Sequence, residues 1–329
     1  MMKAIVHDVY GEAEVLQLRE IPTPSPSETE VLVKVKAAGL HKGNWHMMSG
    51  IPYIMRLGTG LSGPSEKVMG NDISGVVHSV GSKVTKHKVG DEVFGVSKGL
   101  ANGGWAEYAV CKCEDLVPKP RSVSWQDAAV VPTSAVTALE AVRDYGKVKH
   151  GQSVLILGAS GGVGVYAVQF AKTFGGVVTG VCSAAKAGMV RSLGADKVID
   201  YAAGPDVTAL GVKYGVILDI AGDRTVQSLR GILTDEGTLV IVGGEGGNKV
   251  LPMGRQLYCA IVANFTKQGL KTFMSTPTEP LLEFIRGEME GGRLKAGVER
   301  EFDLKDARKA MEEHTAGKIK GKVAIRVAM

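Results

Sequence analysis

The stretch from Val154 to Gly164, Val-Leu-Ile-Leu-Gly-Ala-Ser-Gly-Gly-Val-Gly, constrains the fold of this chain more than any other. Its apolar first half is typical of a buried strand, which must end at Gly158, and apolar residues recur at helical spacing from Val163 onward. Strand, glycine turn and helix in this order form the corner of a βαβ unit that cradles a dinucleotide phosphate on open backbone N–H groups. The residues predicted to hold the phosphates are Ser160, Gly161, Gly162 and Val163.

Two other interpretations of this stretch are possible from its residues. A tight strand-to-helix turn without a ligand would carry the same glycines. The segment from Ser153 to Ala171 has no charged residue and nearly the length of a membrane span, but glycines cluster in its middle. Because further strands and helices follow in register, the dinucleotide interpretation is favoured.

The size and charge of the chain limit its class. Its 329 residues are many for one core, so two domains are expected. The net charge is +5, and the basic runs 83–88 and 318–322 lack interleaved aromatic residues, so we expect solvated surfaces and no nucleic-acid partner. No leader or membrane span is expected, and the four cysteines are predicted to be reduced thiols, which favours the cytoplasm.

The order of elements predicts the architecture. Short strands and glycine turns fill the first part of the chain, whereas strands and helices alternate from Gly151 onward, which is typical of a doubly wound parallel sheet. We predict an α/β fold in which a dinucleotide-binding domain, residues 125–265, is inserted into a β-rich domain of residues 1–124 and 266–329. The predicted strands are 30–36, 74–80, 92–96, 105–111, 154–157, 177–182, 197–199, 216–220, 238–242, 257–263 and 323–327, and the later helices are 187–193, 225–233, 279–290 and 304–314.

The end of the second strand of the nucleotide-binding unit indicates which dinucleotide binds. It reads Val181-Cys182-Ser183-Ala184-Ala185-Lys186, without the Asp or Glu that bonds the ribose hydroxyls of NADH. A hydroxyl and a cation suit a 2′-phosphate, so Ser183 and Lys186 favour NADPH. The alternative is that Lys186 is only a solvated lysine at the start of a helix.

Several further motifs occur in one order along nearly the whole chain. They are residues 30–35, 90–95, 105–108, 137–139 and 193–201, together with the glycine turn. On these motifs the chain resembles the medium-chain dehydrogenase/reductase superfamily, in its zinc-independent quinone oxidoreductase-like branch. The resemblance implies a GroES-like catalytic domain, a Rossmann domain and a homodimer.

The same resemblance bears on a metal. Zinc alcohol dehydrogenases of this superfamily carry a ligand cysteine where this chain has His41, a ligand histidine where it has Asn71, and a further ligand where it has Thr133. One histidine cannot form a site that needs three protein ligands, so no metal is expected. Without a Lewis acid, an already electrophilic acceptor such as a quinone or an α,β-unsaturated carbonyl is favoured over an alcohol.

The resemblance also implies site residues. It places His41, Lys42, Asn44 and Thr137 against the cofactor, although most quinone oxidoreductases have Asn in place of His41 and Asp in place of Asn44. It adds Tyr201 to the 2′-phosphate clamp.

Strand order suggests further cofactor contacts. Ligands bind at the carboxyl ends of parallel strands, so Val242, Gly243 and Gly244 after the fifth strand and Asn264 after the last strand are expected near the nicotinamide.

Three sources of the proton for the acceptor are open. His46 matches a relay histidine of the zinc relatives, and its ordinary pKa near 6.5 suits proton transfer at neutral pH. Tyr53 is the rival donor, and solvent is the third. The nearby methionines, Met47, Met48 and Met55, form either a pliable pocket wall or ordinary core.

The leading hypothesis is a zinc-free, NADPH-dependent oxidoreductase that transfers hydride to a quinone or an α,β-unsaturated carbonyl. A metal-free carbonyl reductase or alcohol dehydrogenase is the first alternative. The second is an NADPH-binding protein with a structural or regulatory role and little turnover, which the departures at His41 and Asn44 keep open.

Overall fold

The structure, a computed structural model, describes residues 1–98, 103–204, 206–243 and 254–327. The chain forms two compact units, residues 1–136 with 276–329 (the β-rich unit) and residues 137–275 (the parallel unit). The chain passes from the β-rich unit to the parallel unit after residue 136, whereas the sequence predicted this boundary at residue 125. The segment after Trp125 packs on the β-rich sheet, where the Ser74 hydroxyl donates to the Trp125 carbonyl at 2.6 Å.

Strands of the β-rich unit form a seven-stranded sheet and a separate two-stranded sheet among the described residues. The core of this unit contains Trp105, which is fully buried and donates from Nε1 to the Gly39 carbonyl at 3.0 Å. The strands are β1 Met2–Val6, β2 Gln17–Ile21, β3 Glu30–Leu40, β4 Asp72–Val80, β5 Glu92–Val96, β6 Tyr108–Lys112 and β7 Leu116–Pro118, and later β14 Val298–Asp303 and β15 Lys322–Arg326.

The parallel unit contains one six-stranded sheet. Its strands are β8 Ser153–Leu157, β9 Val177–Cys182, β10 Lys197–Asp200, β11 Tyr214–Asp219, β12 Leu233–Ile241 and β13 Gly269–Thr272. They lie in the order β10-β9-β8-β11-β12-β13, every neighbouring pair being parallel. This is the doubly wound dinucleotide-binding order, with its switch point between β8 and β11. The predicted Rossmann-type fold is confirmed.

Helices connect and cover these strands. They are α1 Lys42–Ser49, α2 Arg56–Thr59, α3 Trp125–Ala129, α4 Pro132–Leu139, α5 Gly164–Thr173, α6 Ala184–Ser192, α7 Val226–Gly231, α8 Gly254–Val262, α9 Glu279–Glu290 and α10 Ala307–Thr315. Within the described part of the chain no helix is both long and apolar enough to cross a membrane.

One element differs in type from the prediction. The segment 257–263, predicted as the last strand, belongs to α8 and the 3₁₀ turn Ala263–Phe265. Leu257 and Ile261 stand four residues apart, which is helical spacing, and the short apolar run alone could not decide between helix and strand. The sixth strand is β13, four residues long and missed by the pattern.

Close packing against the glycine turn requires glycine at position 164. A Cβ there would lie 2.1 Å from the carbonyl oxygen of Gly158, which is backbone, whereas a Cβ at Gly188 within α6 meets nothing within 4 Å. We expect Gly164→Ala to lower the free energy of unfolding by about 3 kcal/mol through overpacking. The matched Gly188→Ala should raise it by about 0.5–1 kcal/mol through helix propensity. Urea unfolding of both variants checks this, and equal effects would contradict the packing argument.

Candidate functional site

The glycine turn of the parallel unit lies at the carboxyl end of β8, beside the switch point. Gly158 has a φ of +81°, which favours glycine, and the Gly161 N–H donates to its carbonyl at 3.0 Å. Gly161 is exposed, and Ser160, Gly162 and Val163 are half-buried, so the backbone before α5 is open to a ligand. A helix N-terminus with open N–H groups suits a phosphate.

The end of β9 and the end of β10 lie side by side. The Tyr201 N–H donates to the Cys182 carbonyl at 3.3 Å, and the Tyr201 side chain is exposed. Ser183 is the N-cap residue of α6, yet its hydroxyl makes no capping bond, and Lys186 lies half-buried in the first helical turn. The structure therefore brings together the three residues predicted to bind a 2′-phosphate.

An acid that the sequence pattern did not reveal also lies at this edge. Asp200 ends β10 and pairs in register with Cys182. Burial, with the charge of Asp200 second, raises the pKa of the Cys182 thiol, while Lys186 and Arg191 act in the opposite direction. The edge thus carries cations and one carboxylate together.

The chain after β12 is held beside the end of β11. The backbone N–H groups of Val242 and Gly243 both donate to the Asp219 carbonyl, at 2.9 and 3.1 Å. The buried Asp219 carboxylate pairs with Arg255 of α8 and accepts from the Gly222 N–H at 3.0 Å. Val242 and Gly243 lie at the predicted edge, and Gly244 lies outside the described residues.

Asn264 does not lie at that edge. It follows helix α8 and precedes β13, so it stands at the amino ends of the parallel strands, with its amide donating to the Ala260 carbonyl at 3.2 Å. The expectation that it follows the last strand is wrong, because the preceding segment is a helix.

In the β-rich unit, His41 is the N-cap residue of helix α1, and both of its ring nitrogens are engaged. Nδ1 accepts from the Gly43 N–H at 3.1 Å, and Nε2 lies 2.8 Å from Oδ1 of Asn71. The His41 N–H donates to Oδ1 of Asn44 at 2.9 Å, which completes a capping box, and Nδ2 of Asn44 donates to Asn71. The polar atoms of His41 and Asn44 thus serve the start of α1.

The three positions compared with zinc ligands do converge. Nδ2 of Asn71 donates to Oγ1 of Thr133 at 3.1 Å, and Thr133 donates to Asp72 from its hydroxyl at 2.5 Å and from its N–H at 3.0 Å. Asp72 is fully buried at the start of β4. No group of three or more His, Cys, Asp or Glu side chains in the described ranges could hold a metal ion.

Lys322 adds a buried cation to this group. It is 1% exposed, and its Nζ donates to the Ser134 hydroxyl at 2.6 Å. Burial lowers the pKa of Lys322 from its ordinary 10.5 to about 8, while Asp72 acts to raise it. We call the following residues the polar cluster: His41, Asn44, Asn71, Asp72, Thr133, Ser134 and Lys322.

The run 318–322 was expected to be solvated, and at Lys322 that expectation is wrong. The residue begins β15, next to β3 in the sheet, with its side chain inside the unit. The first four residues of the strand Lys322–Arg326 are all buried, so no alternation in the sequence marks Lys322. The other run, 83–88, does expose its lysines.

The candidate proton donors lie near the end of α1. Nδ1 of His46 lies 2.7 Å from the Ile51 carbonyl, to which it must donate, and the Tyr53 side chain is 44% exposed. The Arg56 guanidinium lies 4.7 Å from the Tyr53 ring centroid and bonds the Gly50 carbonyl at 3.0 Å, which holds this segment on α1.

The remaining predicted residues are placed as follows. Lys42 is half-buried in the first turn of α1, with its Nζ 4.4 Å from the Trp45 ring centroid. Thr137, half-buried on α4, is the first residue of the parallel unit. Met47 and Met48 are buried core, as the simpler interpretation held, whereas Met55 is half-buried.

Comparison with known proteins covers both units. Residues 27–121 match the alcohol dehydrogenase GroES-like domain, and residues 193–325 match the zinc-binding dehydrogenase family. The chain is 30% identical to the chloroplast envelope quinone oxidoreductase homolog of Arabidopsis thaliana, with 97% of this chain and 98% of that protein covered.

Solved structures give the same picture. The quinone oxidoreductase from Coxiella burnetii superposes with a TM-score of 0.87 at 28% identity, over 99% of each chain. The Escherichia coli quinone oxidoreductase complexed with NADPH gives 0.84 at 27% identity, over 98% of this chain and 99% of that one.

The buried lysine predicts a pH dependence of stability. Folded Lys322 loses its proton near pH 8, whereas the unfolded chain keeps it to about 10.5. The folded state therefore binds fewer protons in this window, and the stability that Lys322 costs, about 3 kcal/mol, is recovered as the pH rises.

We therefore expect the unfolding free energy of the wild type, minus that of Lys322→Met, to increase between about pH 7.5 and about pH 10. Urea unfolding at both values measures it. A difference independent of pH would contradict a depressed pKa at Lys322.

Proposed function

Because the chain belongs to the medium-chain dehydrogenase/reductase superfamily, in its quinone oxidoreductase-like branch, we propose that it transfers hydride from NADPH to a quinone or an α,β-unsaturated carbonyl without zinc. It is an oxidoreductase of that family. The observation that carries the proposal is the open glycine turn before α5, at the switch point of a sheet in the dinucleotide-binding order.

The parallel unit suits a nicotinamide dinucleotide. The exposed or half-buried backbone from Ser160 to Val163 would hold the pyrophosphate. A methyl group added at Gly161 would meet the Gly158 carbonyl at 3.3 Å, so the cradle depends on small residues. Val242 and Gly243 would pass near the nicotinamide. Lys42 and Thr137 are proposed as further cofactor contacts.

NADPH is favoured over NADH by the edge formed by β9 and β10. The Ser183 hydroxyl is not used in capping, and Lys186 supplies a cation. Tyr201, whose N–H bonds the Cys182 carbonyl, has an exposed ring. Asp200 opposes this preference, but its Oδ1 accepts from the Ala202 N–H at 3.0 Å. A solved relative with a TM-score of 0.84 is described as complexed with NADPH, which also supports the proposal.

Hydrogen bonds within the polar cluster support zinc-free chemistry, because they occupy the atoms that would bind a metal. Both ring nitrogens of His41 and both polar atoms of the Asn71 side chain are engaged inside the protein. A cation would have to break these bonds and would find only one nitrogen ligand of the usual kind. His41 and Asn44 then act by holding the start of α1. Dialysis against a chelator should leave turnover unchanged.

The reaction needs a hydride, which a bound nicotinamide supplies, and a proton, which the protein or solvent supplies. His46 can give this proton from its imidazolium form, because Nδ1–H stays bonded to the Ile51 carbonyl while Nε2 releases its proton. Tyr53 and solvent remain the other candidates. Replacing His46 by Gln tests its role through the pH profile of turnover. Lower turnover with a changed pH profile supports His46 as the donor, and an unchanged pH profile assigns the proton to Tyr53 or solvent.

We propose that two copies associate through the parallel unit. β13 is an edge strand, and a stripe of exposed apolar side chains lies on α8 and the following turn, formed by Leu257, Ile261 and Phe265, the last 85% exposed. Such a stripe is typical of an interface. Sedimentation of wild type and Phe265→Ser would show a dimer that weakens, and a monomeric wild type would refute it.

A reducing compartment, the cytoplasm, is proposed from the thiols. Cys111, Cys113, Cys182 and Cys259 are all free, and three are buried. Several relatives carry chloroplast or mitochondrial names, so cell fractionation with a compartment marker is the deciding measurement.

Turnover with a panel of acceptors tests the proposed activity. We expect NADPH oxidation with a small quinone and an enone, and little with a simple aldehyde, because only the first two are strongly electrophilic without a Lewis acid. Turnover of the aldehyde alone would favour the carbonyl reductase, and tight NADPH binding with no turnover would favour a binding protein.

A charge replacement tests cofactor choice. Lys186→Ala should weaken NADPH binding about tenfold or more, the value of one charged hydrogen bond, with little effect on NADH. Lys197→Ala is the matched control, since Lys197 is exposed at the opposite end of β10. Calorimetric titration of both cofactors measures this, and equal losses for NADPH and NADH would refute the clamp.

A further inference from the structure

The hydrogen bonds of the polar cluster have only one consistent direction. A carboxylate can only accept, so the Thr133 hydroxyl proton is used in its 2.5 Å bond to Asp72. Oγ1 of Thr133 must then accept from Nδ2 of Asn71, at 3.1 Å. The amide oxygen of Asn71 consequently faces His41.

The protonation state of His41 follows from the orientation of the Asn71 amide. Oδ1 of Asn71 only accepts, so Nε2 of His41, 2.8 Å away, carries a proton. Nδ1 accepts from the Gly43 N–H at 3.1 Å and must therefore be bare. His41 caps α1 only as the neutral imidazole, because an imidazolium would point an N–H at another N–H.

Asp72 opposes this neutral state. Its Oδ1 lies 3.8 Å from Nε2 of His41, close enough for an imidazolium to compensate the buried carboxylate. Two cations are thus available to balance one buried charge: His41 on the segment before α1, and Lys322 on β15.

The position of Lys322 favours it over His41 as the cation that balances Asp72. It lies on β15, which pairs with β3 in register Val323 to Leu40, directly before His41 in the chain. Its fully buried ammonium bonds Ser134, the neighbour of Thr133. Burial is the largest cause that lowers the pKa of His41. Among the charged groups that act on it, Asp72 from β4 raises this pKa, whereas Lys322 from β15 and His46 from α1 lower it.

We infer that Lys322 and Asp72 are positioning residues: the ammonium of Lys322 balances the carboxylate of Asp72, so that His41 stays neutral and caps helix α1. The helix carries Lys42 and His46, so the pair holds the residues proposed for the cofactor and the proton. That consequence for catalysis rests on the proposed function, whereas the state of His41 does not.

The direct test is an NMR titration of the His41 ring nitrogens in the full-length protein. Lys322→Met should raise the pKa of His41 by about one pH unit or more, since it removes a positive charge that opposes the imidazolium and leaves the Asp72 carboxylate that favours it. Lys322→Arg, which keeps the charge, should restore the wild-type titration. Lys119→Met is the matched control, because Lys119 is also a buried lysine but lies outside the polar cluster. Its Nζ donates to the Pro120 and Val123 carbonyls.

Asp72→Asn keeps the test decisive if Lys322→Met does not fold. It removes the charge that favours the imidazolium, so the pKa of His41 should fall, opposite to the first variant. A pKa of His41 that is unchanged or lowered in Lys322→Met, or raised in Asp72→Asn, overturns the inference.

The pH profile of NADPH oxidation gives the functional arm. In Lys322→Met the acid limb of kcat/KM should move to higher pH together with the His41 titration, while in Lys119→Met it should stay in place. If no acceptor is turned over, the proposed function fails and the NMR result still decides the role of the pair. If the acid limb stays while the His41 titration moves, the consequence for catalysis is refuted.

Discussion

The buried carboxylate of Asp72 is the charge on which the polar cluster depends. It has no exposed surface, and a bare buried carboxylate would cost several kcal/mol, so its neighbours must donate to it and balance it. Thr133 does the first with two hydrogen bonds, and Lys322 does the second from another strand. The orientation of Asn71 and the capping of α1 by His41 follow from the bonds Asp72 accepts.

The parallel unit depends on a different constraint, the close approach of backbone at its switch point. Gly158 takes a left-handed φ, and Gly164 sits where any side chain would strike the Gly158 carbonyl. The turn can therefore bring backbone N–H groups to the N-terminus of α5, where the helix favours an anion. The ends of β9, β10 and β12 bring further predicted residues to the same edge, whereas Asn264 lies at the other one.

Periodicity and turn residues predicted most strands and the doubly wound parallel sheet, because long buried strands and a glycine turn carry strong local signals. They failed at 257–263, where a short apolar run fits a helix or a strand equally well until tertiary packing decides. The periodicity of the sequence could not predict which side chains bond each other across distant parts of the chain. Lys322 looked like a member of a solvated basic run, and its burial depends on Ser134 and Asp72, which are distant in sequence. Asp200 and Asp219 were missed for the same reason, since each matters through neighbours on other strands.

A crystal structure of the NADPH complex, with anomalous data collected at the zinc absorption edge, would decide between zinc-free and zinc-dependent use of NADPH. We expect the pyrophosphate on the turn from Ser160 to Val163, the 2′-phosphate beside Ser183 and Lys186, and no anomalous peak at His41, Asn71 and Thr133. A 2′-phosphate bound away from Lys186, or a zinc peak within the polar cluster, would contradict it.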